Sequence, residues 1–279
     1  MVEPRTYPPG VTSWVDVEHA DIDGATAFYG RLFGWTFYDV TAGDRAGRYA
    51  VAMLDGKAVA GVAMPVERSE APSSSWNTYV AVEDVTAAAR GVVAAAGSAE
   101  PGPGGAGDEG SWAACMDPFG ARFRVRQAGG LSGAQVVNSP GAWNFSDLHA
   151  ADPSASAVFY SAVFGWSFDD LGFARMIRVP GYGDHLEATV DPGIRARQEG
   201  VSAPPGFADA IGWLTGLQPG EQPHWHVSFT VADRDATADV VERLGGTVLA
   251  RTDSDWTRDA LVSDPQGAVF TVSQFAPQG

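Results

Sequence analysis

The chain states one pattern twice, and that repetition restricts its fold more than any other feature. Asp21 to Phe37 reads DIDGATAFYGRLFGWTF, and Asp152 to Phe168 reads DPSASAVFYSAVFGWSF. The two align without a gap and share FYxxxFGWxF. A second pair follows downstream: MDPFGARFRV (Met116 to Val125) and SDPQGAVFTV (Ser263 to Val272). Both markers recur in the same order, which is the signature of a duplicated domain. A length of 279 residues accommodates two domains of ordinary size. The repeats place them at residues 8–128 and 141–276, joined by a linker over residues 129–140.

Within each repeat the elements follow from residue periodicity and end signals. Strand-like segments open the copies at Val11 to His19 and Ala142 to Ala150. A helix follows, with Asp21 and Asp152 as N-caps, Pro153 suited to a first turn, and Gly34 and Gly165 at the C-terminal ends. Strands are expected next at WTFYDV and WSFDDL, then near residues 48–54 and 57–64 in copy one. In copy two they are expected near residues 174–179 and 185–190. The second half of each copy repeats the βαβββ plan. WNTYVAV and WHVSFTV read as strands, followed by helices from Asp84 to Gly97 and Asp233 to Gly245. Copy two then shows TVLAR, DALVSD and AVFTVSQ as strands. Copy one has PGPGGAGDEG (residues 101–110) in place of TVLAR, a loop or a degraded strand. Residues 195–223 read as an insertion in which Phe207, Ile211 and Leu214 keep helical spacing, either a lid or a surface connector.

Charge excludes some partners. The formal net charge of −16 disfavours nucleic acid and anionic membrane surfaces, whose binders concentrate positive charge. No stretch approaches the roughly 20 apolar residues of a membrane span, and MVEPRTYPPG lacks the apolar core of a signal peptide. A cytoplasmic location is expected. The one cysteine, Cys115, excludes an intrachain disulfide and reads as a buried strand residue. No phosphate-binding P-loop, no glycine fingerprint of a dinucleotide fold and no GxSxG elbow occurs.

The repeated βαβββ units, FYxxxFGW after the first strand and DPxG before the last resemble the vicinal oxygen chelate superfamily of glyoxalases, bleomycin-resistance proteins and extradiol dioxygenases. The nearest likeness is to its tandem two-domain, glyoxalase-like actinomycete type. The likeness runs from about Val11 to Phe275. It implies an α+β fold of tandem domains, each of two βαβββ units forming an open U-shaped barrel around a ligand cavity. Along WHVSFTV, Trp225, Val227, Phe229 and Val231 form an apolar face, and His226, Ser228 and Thr230 a polar one. The polar face lines a cavity or meets water.

The resemblance also locates a metal site to test. Metal-dependent members hold a divalent ion with His and Glu from particular strands. His226 falls on the family's histidine position, where copy one has Asn77. The family's glutamate position on the last strand is Thr271 in copy two and Arg124 in copy one. Arginine cannot ligate a cation. Copy one therefore reads as metal-free. For copy two the resemblance allows an ion (Fe, Mn, Ni or Zn) on His226 and Glu187, the latter on the presumed strand at residues 185–190, with His149 or Asp147. Four of the five histidines, His149, His185, His224 and His226, lie in this copy.

Other candidates concern ligand binding. Arg122, Arg124 and Arg126 alternate on one strand face, either to hold a carboxylate or phosphate or to pair with Asp16 and Glu18 on the first strand. Val269, Thr271 and Ser273 replace them in copy two, so the two cavities differ chemically. Nine tryptophans are many for this length. Trp35 and Trp166 belong to the repeated motif and read as core, whereas others, including Trp143, are candidates to stack on a flat ligand. Asp16, Arg124, Trp143, Ser228 and Thr271 form the expected ligand-contact set. Two functions remain open. One is binding or sequestration of an aromatic or polar natural product. The other is a metal-dependent lyase, isomerase or dioxygenase with its site in copy two, or metal-free acid–base chemistry by Asp147 or His149. The expected partner is a small molecule, with a monomer or homodimer as the assembly.

Overall fold

A computed structural model describes residues 4–40, 47–64, 75–102, 110–201 and 203–277. The βαβββ plan occurs four times. The first holds β1 (Thr12–Glu18), α1 (Ile22–Phe33), β2 (Thr36–Asp39), β3 (Arg48–Leu54) and β4 (Lys57–Met64). The second holds β5 (Ser75–Ala81), α2 (Val85–Ala94), β6 (Ser98–Pro101), β7 (Ser111–Met116) and β8 (Arg122–Gln127). The third holds β9 (Trp143–Ala150), α3 (Pro153–Phe164), β10 (Ser167–Asp170), β11 (Arg175–Arg178) and β12 (Ala210–Gly216), with α4 (Tyr182–Ala188) and α5 (Ile194–Gly200) inserted between the last two strands. The fourth holds β13 (His224–Thr230), α6 (Arg234–Arg243), β14 (Thr247–Asp253), β15 (Thr257–Ser263) and β16 (Val269–Phe275).

The strands form two eight-stranded mixed sheets, ordered β2-β3-β4-β1-β5-β8-β7-β6 and β10-β11-β12-β9-β13-β16-β15-β14. Both remain open, ending on β2 and β6 and on β10 and β14. Within each module the first strand runs parallel to the last and the remaining pairs are antiparallel; Asp16 faces Gly61, and Thr215 faces His149.

Local chemistry explains the helix ends. The Asp21 carboxylate accepts from Gly24 N, and that of Asp152 from Ser154 N and Ala155 N. These bonds satisfy amides that have no partner within the helix. Gly34 and Gly165 close α1 and α3 at φ of 75° and 71°, a left-handed conformation that residues with a side chain rarely adopt. Asp84 and Asp233 cap α2 and α6 in the same way.

Two expectations shift. Residues 185–190 do not form a strand: most lie in α4, and the expected strand is β12, drawn from AIGWLTG. The inserted segment therefore spans residues 179–209 rather than 195–223, and the spacing of Phe207, Ile211 and Leu214 is not that of a helix. The shortened strand of the first repeat survives as β6, four residues long and one step ahead of its glycine-rich loop. Residues 103–109 of that loop lie outside the described residues.

The chain divides into two compact units. One comprises Met1–Ser13, Thr78–Gly133 and Phe145–Trp225; the other comprises Trp14–Asn77, Ala134–Asn144 and His226–Gly279. Each therefore combines modules from both repeats. The repeated motifs show why. In the first unit, Tyr160 of FYxxxFGW donates to Asp117 of DPFG at 3.2 Å and accepts from Trp225 Nε1 at 3.0 Å. In the second, Tyr29 donates to Asp264 of DPQG at 2.7 Å. The tyrosine of each repeat thus bonds the aspartate of the other. Apolar rings surround both phenols. Tyr160 stacks on Trp166 at 5.2 Å and meets Trp225 and Phe123, whereas Tyr29 packs with Trp35, Trp76 and Phe270. The motif's tryptophans anchor the entering chain, with Trp166 Nε1 donating to Gly10 O and Trp35 Nε1 to Gly141 O, each at 2.7 Å.

Cys115 lies buried on β7, where burial pushes its thiol up to about 12. Only the thiolate is nucleophilic. A disulfide-exchange reagent at mildly alkaline pH is expected to leave native Cys115 unmodified and to titrate one thiol after unfolding in urea; rapid reaction of the native protein would contradict this burial.

Candidate functional site

Among the described residues, three gatherings of polar side chains bear on a site, each within one unit. In the second unit Asp16 is fully buried at the middle of β1. Its Oδ1 accepts from Asn77 Nδ2 at 2.9 Å and its Oδ2 from Tyr49 OH at 3.2 Å. Trp14 Nε1 donates to the same phenol at 2.8 Å. A carboxylate removed from water is tolerated only when hydrogen bonds replace its hydration, and this network supplies them.

In the first unit Arg124 of β8 donates through Nη1 to Tyr79 OH at 2.6 Å. Its guanidinium carbon lies 4.5 Å from the centre of the Trp112 ring and 5.4 Å from that of Tyr79. Two aromatic faces thus hold the planar cation in place. The stripe of three arginines divides: Arg122 is exposed, and Arg126 is mostly buried with Nη2 donating to Leu131 O.

The third gathering, also in the first unit, joins His149 near the end of β9 to Glu221 and His224 at the start of β13. His149 Nδ1 lies 2.8 Å from Glu221 Oε1, and His224 Nε2 lies 3.8 Å from the same oxygen. Burial and the neighbouring His224 hold the His149 imidazolium below its ordinary range, against the opposing pull of Glu221.

The remaining sequence candidates distribute as follows. Asp147 Oδ1 accepts from Trp213 N at 2.9 Å, tying β9 to β12. Trp143 is buried, 3% exposed, and so packs within the second unit rather than presenting a face to solvent. Ser228 and His226 are each 8% exposed, so the middle of the polar side of β13 does not meet bulk water. Ser228 pairs in register with Thr271, whose Oγ1 lies 2.8 Å from His226 Nε2. Glu187 stands on α4, not on a strand, and its exposed carboxylate is engaged by Arg195. His185 meets Thr6 instead of the sheet. Of the expected ligand set, Glu187 thus lies on α4 against Arg195, and His149 lies beside Glu221 and His224. Sequence reasoning passed over Tyr79 and Tyr49 as site residues, whereas Trp112 stood among the tryptophans considered for stacking on a ligand. The alternation of Tyr79 with Asn77 on β5 was the one signal for the first of these. A shallow cavity of about 270 Å³ beside α1, lined by Phe28, Arg31, Leu244 and Gln266, touches none of the three gatherings.

The residues at the family's metal positions do not fit an ion. In the first repeat Asn77 spends its amide on Asp16, and Arg124 puts a cation where a carboxylate is needed. In the second repeat the pair is one imidazole hydrogen-bonded to a threonine hydroxyl, with no carboxylate ligand from Glu187.

Paired βαβββ modules with open mixed sheets and polar side chains on β1, β5 and β8 define a tandem glyoxalase-like protein. The chain belongs to the glyoxalase/bleomycin resistance protein/dioxygenase superfamily, whose model matches residues 13–125, while a glyoxalase-like domain model matches residues 145–273. It is 35% identical to a putative glyoxylase, CFP32, of Mycobacterium tuberculosis, over the full length of both chains. It is 31% identical to the anthracycline biosynthesis protein DnrV of Streptomyces peucetius, over 95% of this chain and 94% of that one. Among solved structures, the 2,3-dioxygenase LapB of Pseudomonas sp. KL28 shares the fold at a TM-score of 0.60 and 11% identity, covering 97% of both chains. The Mn(II)-bound glyoxalase of Novosphingobium aromaticivorans does so at 0.58 and 16%, covering 95% of this chain and 82% of that one. No helix among the described residues is long and apolar enough to cross a membrane.

Proposed function

We propose that this chain binds a small, flat aromatic molecule carrying anionic or polar groups, and does so without a metal on the family's ligand positions. One observation carries the reading: Arg124 occupies the place of the family's acidic ligand and is braced by Tyr79 and Trp112. A braced guanidinium recognises carboxylate, phenolate or quinone oxygens, and the adjacent indole offers a stacking surface. The name of DnrV ties that relative to anthracycline biosynthesis, and a polycyclic aromatic suits such a pair.

The experiment is calorimetric titration of the full chain with an anthraquinone carboxylate and with an anthracycline. Saturable binding unaffected by EDTA is expected, with Arg124→Ala weakening it about 10- to 100-fold, as for a lost hydrogen bond to a charged group. Binding that neither Arg124→Ala nor Trp112→Ala alters would overturn the reading. The catalytic alternative has its own support in the imidazole–carboxylate pair of His149 and Glu221. It requires turnover of the bound molecule that His149→Ala abolishes.

A further inference from the structure

We infer that His149, Glu221 and His224 form a binding site for one divalent first-row transition-metal ion, away from the family's ligand positions. Their ligand atoms all lie within 4.8 Å of one another. Atoms held tetrahedrally at about 2.0–2.1 Å from an ion sit roughly 3.3 Å apart. The two separations from Glu221 Oε1, 2.8 and 3.8 Å, straddle that value. The two imidazole rings lie 4.8 Å apart between centres, so modest side-chain rotation brings the set together.

Outer contacts orient the set. Gln222 O lies 2.9 Å from His224 Nδ1, which turns the other ring nitrogen toward Glu221. Gln218 N donates to Glu221 Oε2 at 2.7 Å, leaving Oε1 pointed at the histidines. Contacts of this kind fix ring direction in metal sites. Two imidazoles and one carboxylate suit zinc, nickel, cobalt or iron rather than the oxygen-seeking magnesium and calcium. Three protein ligands also leave a position for water or an oxygen ligand. The side chains are 21%, 23% and 38% exposed, so an ion can reach them.

The site would fasten the connection between β12 and β13 to β9. In the first repeat Glu18 and Ser75 stand at the positions of His149 and His224, so one ion per chain is expected.

The test uses the full chain stripped with EDTA and moved to chelator-free buffer. Calorimetry with Zn²⁺, and visible absorption with Co²⁺, should give one equivalent bound. His224→Ala and Glu221→Gln should each lose more affinity than the roughly 10–100-fold cost of removing an outer contact alone. Circular dichroism of the metal-free variants checks that they fold. Zn²⁺ should also slow hydrogen exchange over residues 217–224. His226→Ala separates the two locations and should retain the ion. No saturable binding of Zn²⁺, Co²⁺ or Ni²⁺ would overturn the proposal, as would binding lost in His226→Ala but kept in His224→Ala.

Discussion

Asp264→Ala is expected to destabilise the second unit by about 3 kcal/mol or more, because it leaves buried hydrogen-bonding groups without their acceptor at about 1–3 kcal/mol each. The carboxylate accepts from Tyr29 OH at 2.7 Å and from the amides of Gln266 and Ala268 at 2.9 Å, and its Oδ2 lies 2.7 Å from His19 Nε2. His19 and Asp264 have side chains 0% and 1% exposed, so water cannot replace what is lost. Asp117 occupies the same turn in the first unit, with Tyr160 and the amides of Phe119 and Ala121 but with Ala150 where the other repeat has His19. The two aspartates consequently titrate in opposite directions. Burial favours the neutral acid in both. At Asp264 the hydrogen bonds and the His19 charge prevail and hold it below the usual carboxylate range, whereas at Asp117 burial prevails and raises it.

The signs follow by linkage. The depressed Asp264 contributes stability that is full above its unfolded value and is lost as pH falls through its folded value. The raised Asp117 contributes stability that is full below its unfolded value and is lost as pH rises through its folded value. Acid should therefore loosen the second unit first. Hydrogen exchange resolved by peptide, measured across mildly to strongly acidic pH, checks the order. Asp264→Ala should reduce the difference between the units, and equal acid sensitivity in the unaltered protein would contradict the account.

Tyr160→Ala should cost about 3–5 kcal/mol, as expected for emptying a large aromatic from a packed core. The ring is fully buried among Phe123, Phe159, Phe164, Trp166 and Trp225. Tyr160→Phe keeps the ring and removes only the hydroxyl, leaving Asp117 and Trp225 Nε1 each short of one partner at about 1–3 kcal/mol. Urea unfolding followed by tryptophan emission measures both. Equal losses would show that the hydrogen bond, not the packing, dominates.

The repeats made the fold legible because their signals are local. The caps Asp21 and Asp152, the terminal Gly34 and Gly165, and the alternation along WHVSFTV each depend on a few neighbouring residues. β12 escaped because AIGWLTG is a short apolar run next to a plausible helical spacing, and such runs carry no decisive period. That error moved Glu187 onto a strand it does not occupy. At the candidate sites, the paired histidines of PHWH were visible, but Glu221 sits in a connection where no periodicity marks it. The crossing of Tyr29 to Asp264 and of Tyr160 to Asp117 was hidden for a related reason. Each motif announces itself in sequence, but its partner is chosen by tertiary packing.

That crossing changes what the linker means. Each unit draws on both repeats, so scission between residues 133 and 145 would sever the chain without separating either unit into a self-sufficient half. The two fragments would remain partners, each supplying the carboxylate that the other's phenol requires. The covalent joint thus raises the effective concentration of one half for the other.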